Sequence, residues 1–454
     1  MSGNKILKMA YIVIFILALA IPGVWTFVGK QENIGNEEVV DFSDANYFNV
    51  ADKADEYMNQ KFGFRNKLVG LNNQLCFNVF GESGNDQVIV GEDNWLFYAS
   101  ALHDYNGTDV LSHGELAKIA KILAMTEAYV TNNGGKFLFI SAPNKMEIYG
   151  EYMPYYHVED KTDGNYEKLF AELEKDGVTS VDLKEYLKSF KESSKQALYY
   201  KTDSHWNEYG AALAYEKIMQ SCDEQYIEFS KEYVIKENAF KGDLYTMLFP
   251  DGKELFESVI IDKEYEFYYT SNFRNSDDLV IQTMNDEANG SFIMWRDSFG
   301  GFIYTFFAES FYEAEFRREI PYNFTNIGEK DVVVIEIVER NIPLLLENPP
   351  MIEAMTTNVT VDKKNEIKPE ITAKNASGLY LLEAELPTLP EDCTEIYFKV
   401  YNGEEYVTYE AFPSAKNGDA CIYLKELLEN AEISVIYEYN GTIYETLKNT
   451  VNCV

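Results

Sequence analysis

The sequence predicts an α/β protein: a three-layer α/β/α domain with a mainly parallel sheet, followed by a small antiparallel β-sandwich and preceded by a transmembrane helix. Three observations lead there. Between about residues 55 and 345, helix-period segments alternate with short, continuous apolar runs, as expected for strands buried on both faces between covering helices. After residue 372 the pattern changes to strand-like runs followed by Asn-Gly pairs, the strongest short-range signal for a hairpin. At the N-terminus one apolar stretch has roughly the length a bilayer requires.

That N-terminal stretch, residues 1–30, places Lys5 and Lys8 ahead of the apolar run from Met9 to Ile21, which continues through Val24, Trp25, Phe27 and Val28. Positive charge on the N-terminal flank predicts a cytoplasmic N-terminus, with the bulk of the protein outside. Ala18-Leu19-Ala20 has the composition of a signal-peptidase site. An uncleaved anchor is favoured because the apolar stretch runs on beyond it. Residues 31–54 are polar and acidic and form a linker leaving the membrane.

Within the α/β region, Ser112 and Glu115 form a capping box opening a helix with Leu116, Ile119 and Leu123 on one face, closed by Asn133-Gly134-Gly135. The run Phe137 to Ile140 follows and ends in Ala142-Pro143-Asn144-Lys145. A second helix near Tyr166 to Lys175 stops at Gly177 and leads into Val178 to Leu183. Ser291 to Trp295 reads as a strand, Arg296-Asp297-Ser298 as its turn, and Phe299 to Phe311 as a helix. Val332 to Ile335 is β-branched and continuous, so it belongs deep in the sheet. Residues 346–372 are rich in Pro, Asn, Thr and Lys and read as a linker. Residues 373–454 form the β-sandwich, with Asn402-Gly403 and Asn440-Gly441 as hairpin turns. Such a module serves as a spacer, or as a wall- or glycan-binding unit.

Charge narrows the function. Lys plus Arg is 39 against 75 for Asp plus Glu, a net charge of −36. That field repels phosphate backbones and excludes nucleic acid as a partner. The acid is dispersed and aromatic residues reach 15%, so the acidity marks a solvated surface rather than disorder. The five cysteines are scattered without C-x-x-C spacing; three lie in the last seventy or so residues, where one disulfide has room to form. No cofactor is expected, and no spacing of His, Cys and acid suggests a metal site.

Two segments carry the chemistry. Thr202-Asp203-Ser204-His205-Trp206-Asn207 contains one of only four histidines, with an aspartate two positions earlier. On an extended segment, residues two apart point the same way. Trp295-Arg296-Asp297-Ser298-Phe299-Gly300 places a serine after a strand and before two glycines. At the carboxyl edge of a parallel sheet, such a serine sits where α/β folds build their sites. Together the segments hold a nucleophile (Ser298), a base (His205) and an orienting acid (Asp203), the groups needed for acyl transfer through serine. The bland alternatives are a hydrogen-bonded structural histidine, and Asp297 and Ser298 acting only as helix caps.

In combination and order these segments resemble the SGNH-hydrolase-like proteins of alginate acetylation, the AlgX/AlgJ class, and the related bacterial D-H-H-W motif proteins. Here the motif reads Asp203-Ser204-His205-Trp206, so its second position departs from strict D-H-H-W. Asn94 to Tyr98, Ala142 to Lys145, Gly242-Asp243-Leu244 and Glu339-Arg340-Asn341 also look like that family. The resemblance covers residues 55–345 and implies a catalytic domain there, with Ser298 as nucleophile, His205 as base and Asp203 as its partner. It points more weakly to Asn144, Lys145, Arg296 and Arg340 as substrate-binding or oxyanion residues. It implies an extracytoplasmic O-acetyltransferase (O-acyltransferase) acting on a cell-surface or secreted polysaccharide, supplied with acyl groups by a membrane-bound O-acyltransferase partner. The competing expectations are a carbohydrate esterase with the same triad, and a non-catalytic polysaccharide-binding or assembly protein.

Overall fold

The computed structural model describes residues 3–28, 50–154, 163–325, 327–386, 389–390, 392–414 and 419–451. Most of the expected linker 31–54, and Cys453, lie outside the described residues. The central element is a mixed seven-stranded sheet in the order Ser180–Val181, Lys136–Ala142, Val332–Val338, Ser291–Trp295, Glu313–Arg317, Val280–Met284 and Tyr268–Tyr269. The first five strands run parallel; the last two add antiparallel. Every residue of Val332–Val338 is buried, which explains its unbroken apolar run apart from Glu336.

Alternation along these strands feeds two cores. Phe139, Ile335 and Trp295 pack on one face with Leu116, Ile119, Leu123, Leu169 and Leu173 from the helices His113–Asn132 and Asn165–Asp176. Leu138, Val334 and Phe292 pack on the other with Leu187, Leu213, Ile218, Phe306 and Phe307. Burying each such side chain contributes roughly 1.5–3 kcal/mol, so helices cover both faces. The Ser112–Glu115 capping box is present at the start of His113–Asn132. The parallel register brings Ala142 opposite Val338 and Trp295 opposite Ile335. The loops starting at Pro143, Glu339 and Arg296 therefore emerge along one edge of the sheet.

Two expectations differ in detail. The helix expected from Phe299 to Phe311 is a 3₁₀ turn, Phe299–Phe302, followed by a short α-helix, Tyr304–Ser310. Gly300 and Gly301 are poor helix formers, and the Gly301 N–H closes early onto the Ser298 carbonyl at 3.1 Å. Residues 346–372, read as a linker, contain the strands Thr356–Thr357 and Lys363–Lys364 and the start of Glu370–Ala376, with Met351 and Ile352 buried. Strands of two residues show no periodicity, so composition alone cannot separate them from a loop.

The C-terminal strands form one sheet of seven and one of four. Phe398 and Val435 from the larger share a core with Leu382 and Ile422 from the smaller. Asn440 and Gly441 both take positive φ and join Ala431–Tyr439 to Thr442–Glu445, as a two-residue hairpin turn demands. Asn402-Gly403 lies in the longer turn between Ile396–Tyr401 and Tyr406–Glu410. Cys393 and Cys421 are buried and free.

A buried ion cluster ties the helical layer to the sheet. Lys184 Nζ lies 2.6 Å from Glu339, 2.8 Å from Glu167 and 3.6 Å from Glu147. Removing the cation leaves carboxylates stranded in the interior, which typically costs about 3–5 kcal/mol. Lys184→Met is therefore expected to lower stability by about that amount in chemical denaturation, far more than loss of an exposed pair such as Lys231–Glu228.

Candidate active site

The Asp203–His205 segment is a tight turn between Tyr199 and Trp206, which form an antiparallel bridge. The chain then enters the helix Glu208–Ser221, capped by the Asn207 side chain. His205 Nδ1 is 2.7 Å from Asp203 Oδ1. An ionised carboxylate only accepts, so Nδ1 carries the proton and Nε2 is left as acceptor. His205 Nε2 lies 2.8 Å from Ser298 Oγ, which fits a hydroxyl donating to it. The hydroxyl does not cap the turn that follows. Asp297 does so instead, accepting from the Phe299 N–H at 2.8 Å and bridging to the Val338 N–H at 2.7 Å. The capping role thus falls to Asp297, and Ser298 faces the imidazole.

Asp203 is held by more than the imidazole. The Asp243 N–H donates to its Oδ2 at 2.7 Å, and the His205 N–H to its Oδ1 at 3.0 Å. Asp243 in turn accepts from the Ser204 N–H and Oγ, at 2.8 and 2.6 Å. Gly242 makes this approach possible: a Cβ there would stand 1.9 Å from the Thr202 carbonyl oxygen. Asp243 has no assigned role in the sequence reading, although its Gly-Asp-Leu segment is among the family-like stretches. Phe299 and Phe302 cover the imidazole at ring-centroid distances of 4.7 and 5.2 Å.

These surroundings set the proton affinities. Burial pushes His205 down, but the hydrogen bond and charge of Asp203, aided by Asp243, leave it raised above the ordinary imidazole value. Burial pushes Asp203 up, yet His205 and the N–H donors hold it below the usual carboxylate range. Burial, then the charge of Asp203, raises Asp243. Ligand atoms of Asp203, His205 and Asp243 lie within 4.8 Å of one another. Asp203 engages Nδ1 of His205 and so fixes the ring's tautomer and orientation.

The other four sequence candidates divide. Arg340 NH1 donates to Asn144 Oδ1 at 3.2 Å, and its guanidinium carbon lies 5.7 Å from the Phe299 ring centre. Its charge acts on His205, so Arg340 stands at the site's rim; Asn144 beside it is buried, its Nδ2 donating to Asp104 Oδ2 at 3.4 Å. Arg296 does not join them. It is buried and donates to the carbonyls of Ser276, Asp278 and Asp297. Burial brings it down to about 10. A Cβ on Gly300 would meet the Arg296 Cβ at 2.5 Å, so Gly300 makes room for this side chain rather than for substrate. Lys145 is also buried, donating to the carbonyls of Leu96, Lys201 and Asp203 at 2.6, 2.9 and 2.8 Å. It braces the turn and is not presented to substrate.

Residues 88–280 match the family model described as SGNH hydrolase-like domain, acetyltransferase AlgX. The matched stretch includes Asn144, Lys145, Asp203, His205 and Asp243 and ends before Ser298. Among solved structures, the chain is similar to Bacillus cereus PatB1 with a sulfonyl adduct, at 16% identity over 57% of this chain and 97% of that one, with a TM-score of 0.42. It is similar to a DHHW family protein from Eubacterium siraeum at 16% identity, covering 56% and 91%, TM-score 0.42. The O-acetyltransferase domain of Pseudomonas putida AlgJ gives 16% identity, 56% and 92% coverage, and a TM-score of 0.37. No curated protein matches the chain. The family model matched by residues 88–280, SGNH-hydrolase-like of the AlgX acetyltransferase type, is the family that the chain's motifs resemble.

Proposed function

We propose that this chain is an extracytoplasmic O-acetyltransferase that modifies a cell-surface or secreted polysaccharide through an acyl-serine intermediate. The observation that carries this reading is the 2.8 Å approach of His205 Nε2 to Ser298 Oγ, with Asp203 at 2.7 Å behind the ring. A non-catalytic scaffold has no need of that alignment. The catalytic domain spans residues 55–345, and residues 373–454 form a β-sandwich accessory domain. One helix, Leu7–Thr26, is long and apolar enough to cross a membrane, which supports anchoring through residues 1–30.

In the first half-reaction His205 takes the Ser298 proton as Oγ attacks the acyl carbonyl of the donor. The tetrahedral oxyanion forms beside the turn after Ser298. Two N–H groups of that turn are already taken, Phe299 by Asp297 and Gly301 by the Ser298 carbonyl. We assign oxyanion support to the rim guanidinium of Arg340, which Asn144 orients by accepting from its NH1. Collapse expels the donor's leaving group, which takes the proton from His205 and leaves an ester on Ser298. In the second half, a sugar hydroxyl gives its proton to His205 and attacks that ester; Ser298 leaves and recovers the proton. The acyl group reaches the outer side from a membrane-bound O-acyltransferase partner, because acetyl-CoA is cytoplasmic.

Two measurements test this. Full-length protein is expected to hydrolyse a chromogenic acetate ester slowly and to move acetyl onto an acceptor oligosaccharide. Ser298→Ala should cut both by roughly a thousandfold or more. Equal rates in wild type and variant would refute the mechanism; acetate release with no acetylated product would make the chain an esterase. The second concerns pH. The base works only when neutral, so the rate should climb as pH rises through the elevated His205 value and then level off. Asp203→Asn removes the group that raises it. The inflection should move to lower pH and the plateau should drop by about 10⁴-fold. The same linkage gives stability a direction. The His205 contribution is full below the unfolded imidazole value of about 6.5 and is lost as pH rises through the native one. The Asp203 contribution is present above about 3.9 and is lost as pH falls through its lowered native value.

A further inference from the structure

One apolar surface is left unexplained by the acyl-transfer chemistry. The helix Arg65–Leu75 continues into a π-helical turn, Cys76–Phe80. Along it Leu68, Leu71, Leu75 and Val79 recur at spacings of three and four residues, all exposed, with Phe80 beside them; Leu71 is 64% exposed. Spacing of this kind puts apolar side chains in one stripe, and an exposed stripe of this size marks an interaction surface. In a chain of net charge −36, residues 65–80 contain Arg65 and Lys67 and no acidic residue.

The position of this stripe relative to the anchor decides its occupant. A hydrocarbon core of about 30 Å takes about 20 helical residues, the length of Leu7–Thr26. With Lys5 and Lys8 inside, Thr26 lies at the outer boundary of the bilayer. The residues just before Arg65 are fastened to that boundary. The Gly63 N–H donates to Thr26 Oγ1 at 2.9 Å, and Phe64 stacks on Trp25 at 4.9 Å. A Cβ on Gly63 would fall 2.1 Å from the Pro22 carbonyl oxygen, so glycine is required for this close approach. The striped helix therefore begins at headgroup level, with aromatic rings at its start and two cations in its first turn. These are the features of a helix lying in a membrane interface.

We propose that residues 65–80 lie on the outer leaflet, with Leu68, Leu71, Leu75, Val79 and Phe80 in the lipid and Arg65 and Lys67 among anionic headgroups. The proposal rests on the anchored reading of residues 1–30. It adds a consequence for the site. The opposite side of the same helix is bolted to the protein: Asn73 Nδ2 donates to the Leu248 carbonyl at 2.7 Å, and Phe77 meets Phe249 edge-on. Leu248 ends the helix Asp243–Leu248, whose first N–H holds Asp203. Lipid contact thus fixes the height and tilt of the Asp203–His205–Ser298 group above the bilayer, where a membrane-bound acyl donor would deliver.

The test uses the full chain in phosphatidylcholine vesicles with and without phosphatidylglycerol. Cys222, Cys393 and Cys421 are buried; Cys76→Ser and Cys453→Ser replace the remaining two thiols, and an environment-sensitive fluorophore is placed at Ile14→Cys, Leu71→Cys or Leu428→Cys. Doxyl-labelled lipid is expected to quench positions 14 and 71 and to leave 428 untouched. Quenching at 71 should strengthen with phosphatidylglycerol and weaken in an Arg65→Glu/Lys67→Glu variant. Near-UV circular dichroism matching wild type confirms folding, and Leu75→Cys serves in place of Leu71→Cys if it does not. Quenching at 14 without quenching at 71 overturns this proposal and spares the anchor. No quenching at either overturns both. If position 71 is unquenched in vesicles but shielded from a soluble quencher in native membranes, the surface belongs to a protein partner and the lipid assignment fails.

Discussion

A hydroxyl and an imidazole share a proton only while their two backbones keep a separation fixed to within a fraction of an ångström. Here those backbones belong to segments about ninety residues apart, and buried polar groups hold each one. On the histidine side, Lys145 gathers the carbonyls of Leu96, Lys201 and Asp203, while Asp243 accepts from Ser204 and donates to Asp203. On the serine side, Asp297 ties the turn to Val338 in the central strand, and Glu336 accepts the Asp297 N–H at 3.0 Å. The ionisations of these braces are strained as a result. Burial draws Lys145 down to about 7, and burial together with Asp297 pushes Glu336 well above the usual carboxylate range. Such perturbed groups usually mark a functional site. In this one, part of the perturbation belongs to the scaffold that aims the reacting groups.

The division explains what the sequence reveals and what it conceals. Asp203 and His205 are legible because two-residue spacing on extended chain has a geometric meaning. Ser298 is legible because a strand, a turn and two glycines announce an edge. The strands Ser291–Trp295 and Val332–Val338 are legible because burial on both faces leaves an apolar run. The contribution of Asp243 is concealed: it comes through its backbone N–H and through Ser204, which carry no periodic signal. Only Gly242 hints at it, and a glycine before a helix has many ordinary causes. The short strands in residues 346–372 are concealed for a related reason, since two residues cannot display an alternation.

Arg296 and Arg340 show how far adjacency to a strand end can mislead. Both follow a parallel strand at the same edge of the sheet. The side chain of Arg296 crosses beneath Gly300 and ends on backbone carbonyls at Ser276 and Asp278. Arg340 remains outside, against the rings of Tyr98 and Phe299. Sequence position gives the edge; which way the side chain turns depends on whether a neighbour lacks a Cβ.

The electrostatics of the imidazole follow from the same arrangement. Asp203 and Asp243 both draw His205 toward its charged form, and Arg340 and burial oppose them. The acids alone would favour the protonated ring, which cannot accept from Ser298. Burial alone would weaken it as a base. General base catalysis is most effective when the pKa sits near the working pH. An acid at 2.7 Å, a second at 3.8 Å and a guanidinium on the rim are a way of setting that balance. Asp243 therefore acts on both terms at once. Its N–H helps keep Asp203 ionised, and its own carboxyl adds a smaller pull on the ring, so its position couples the geometry of the turn to the strength of the base.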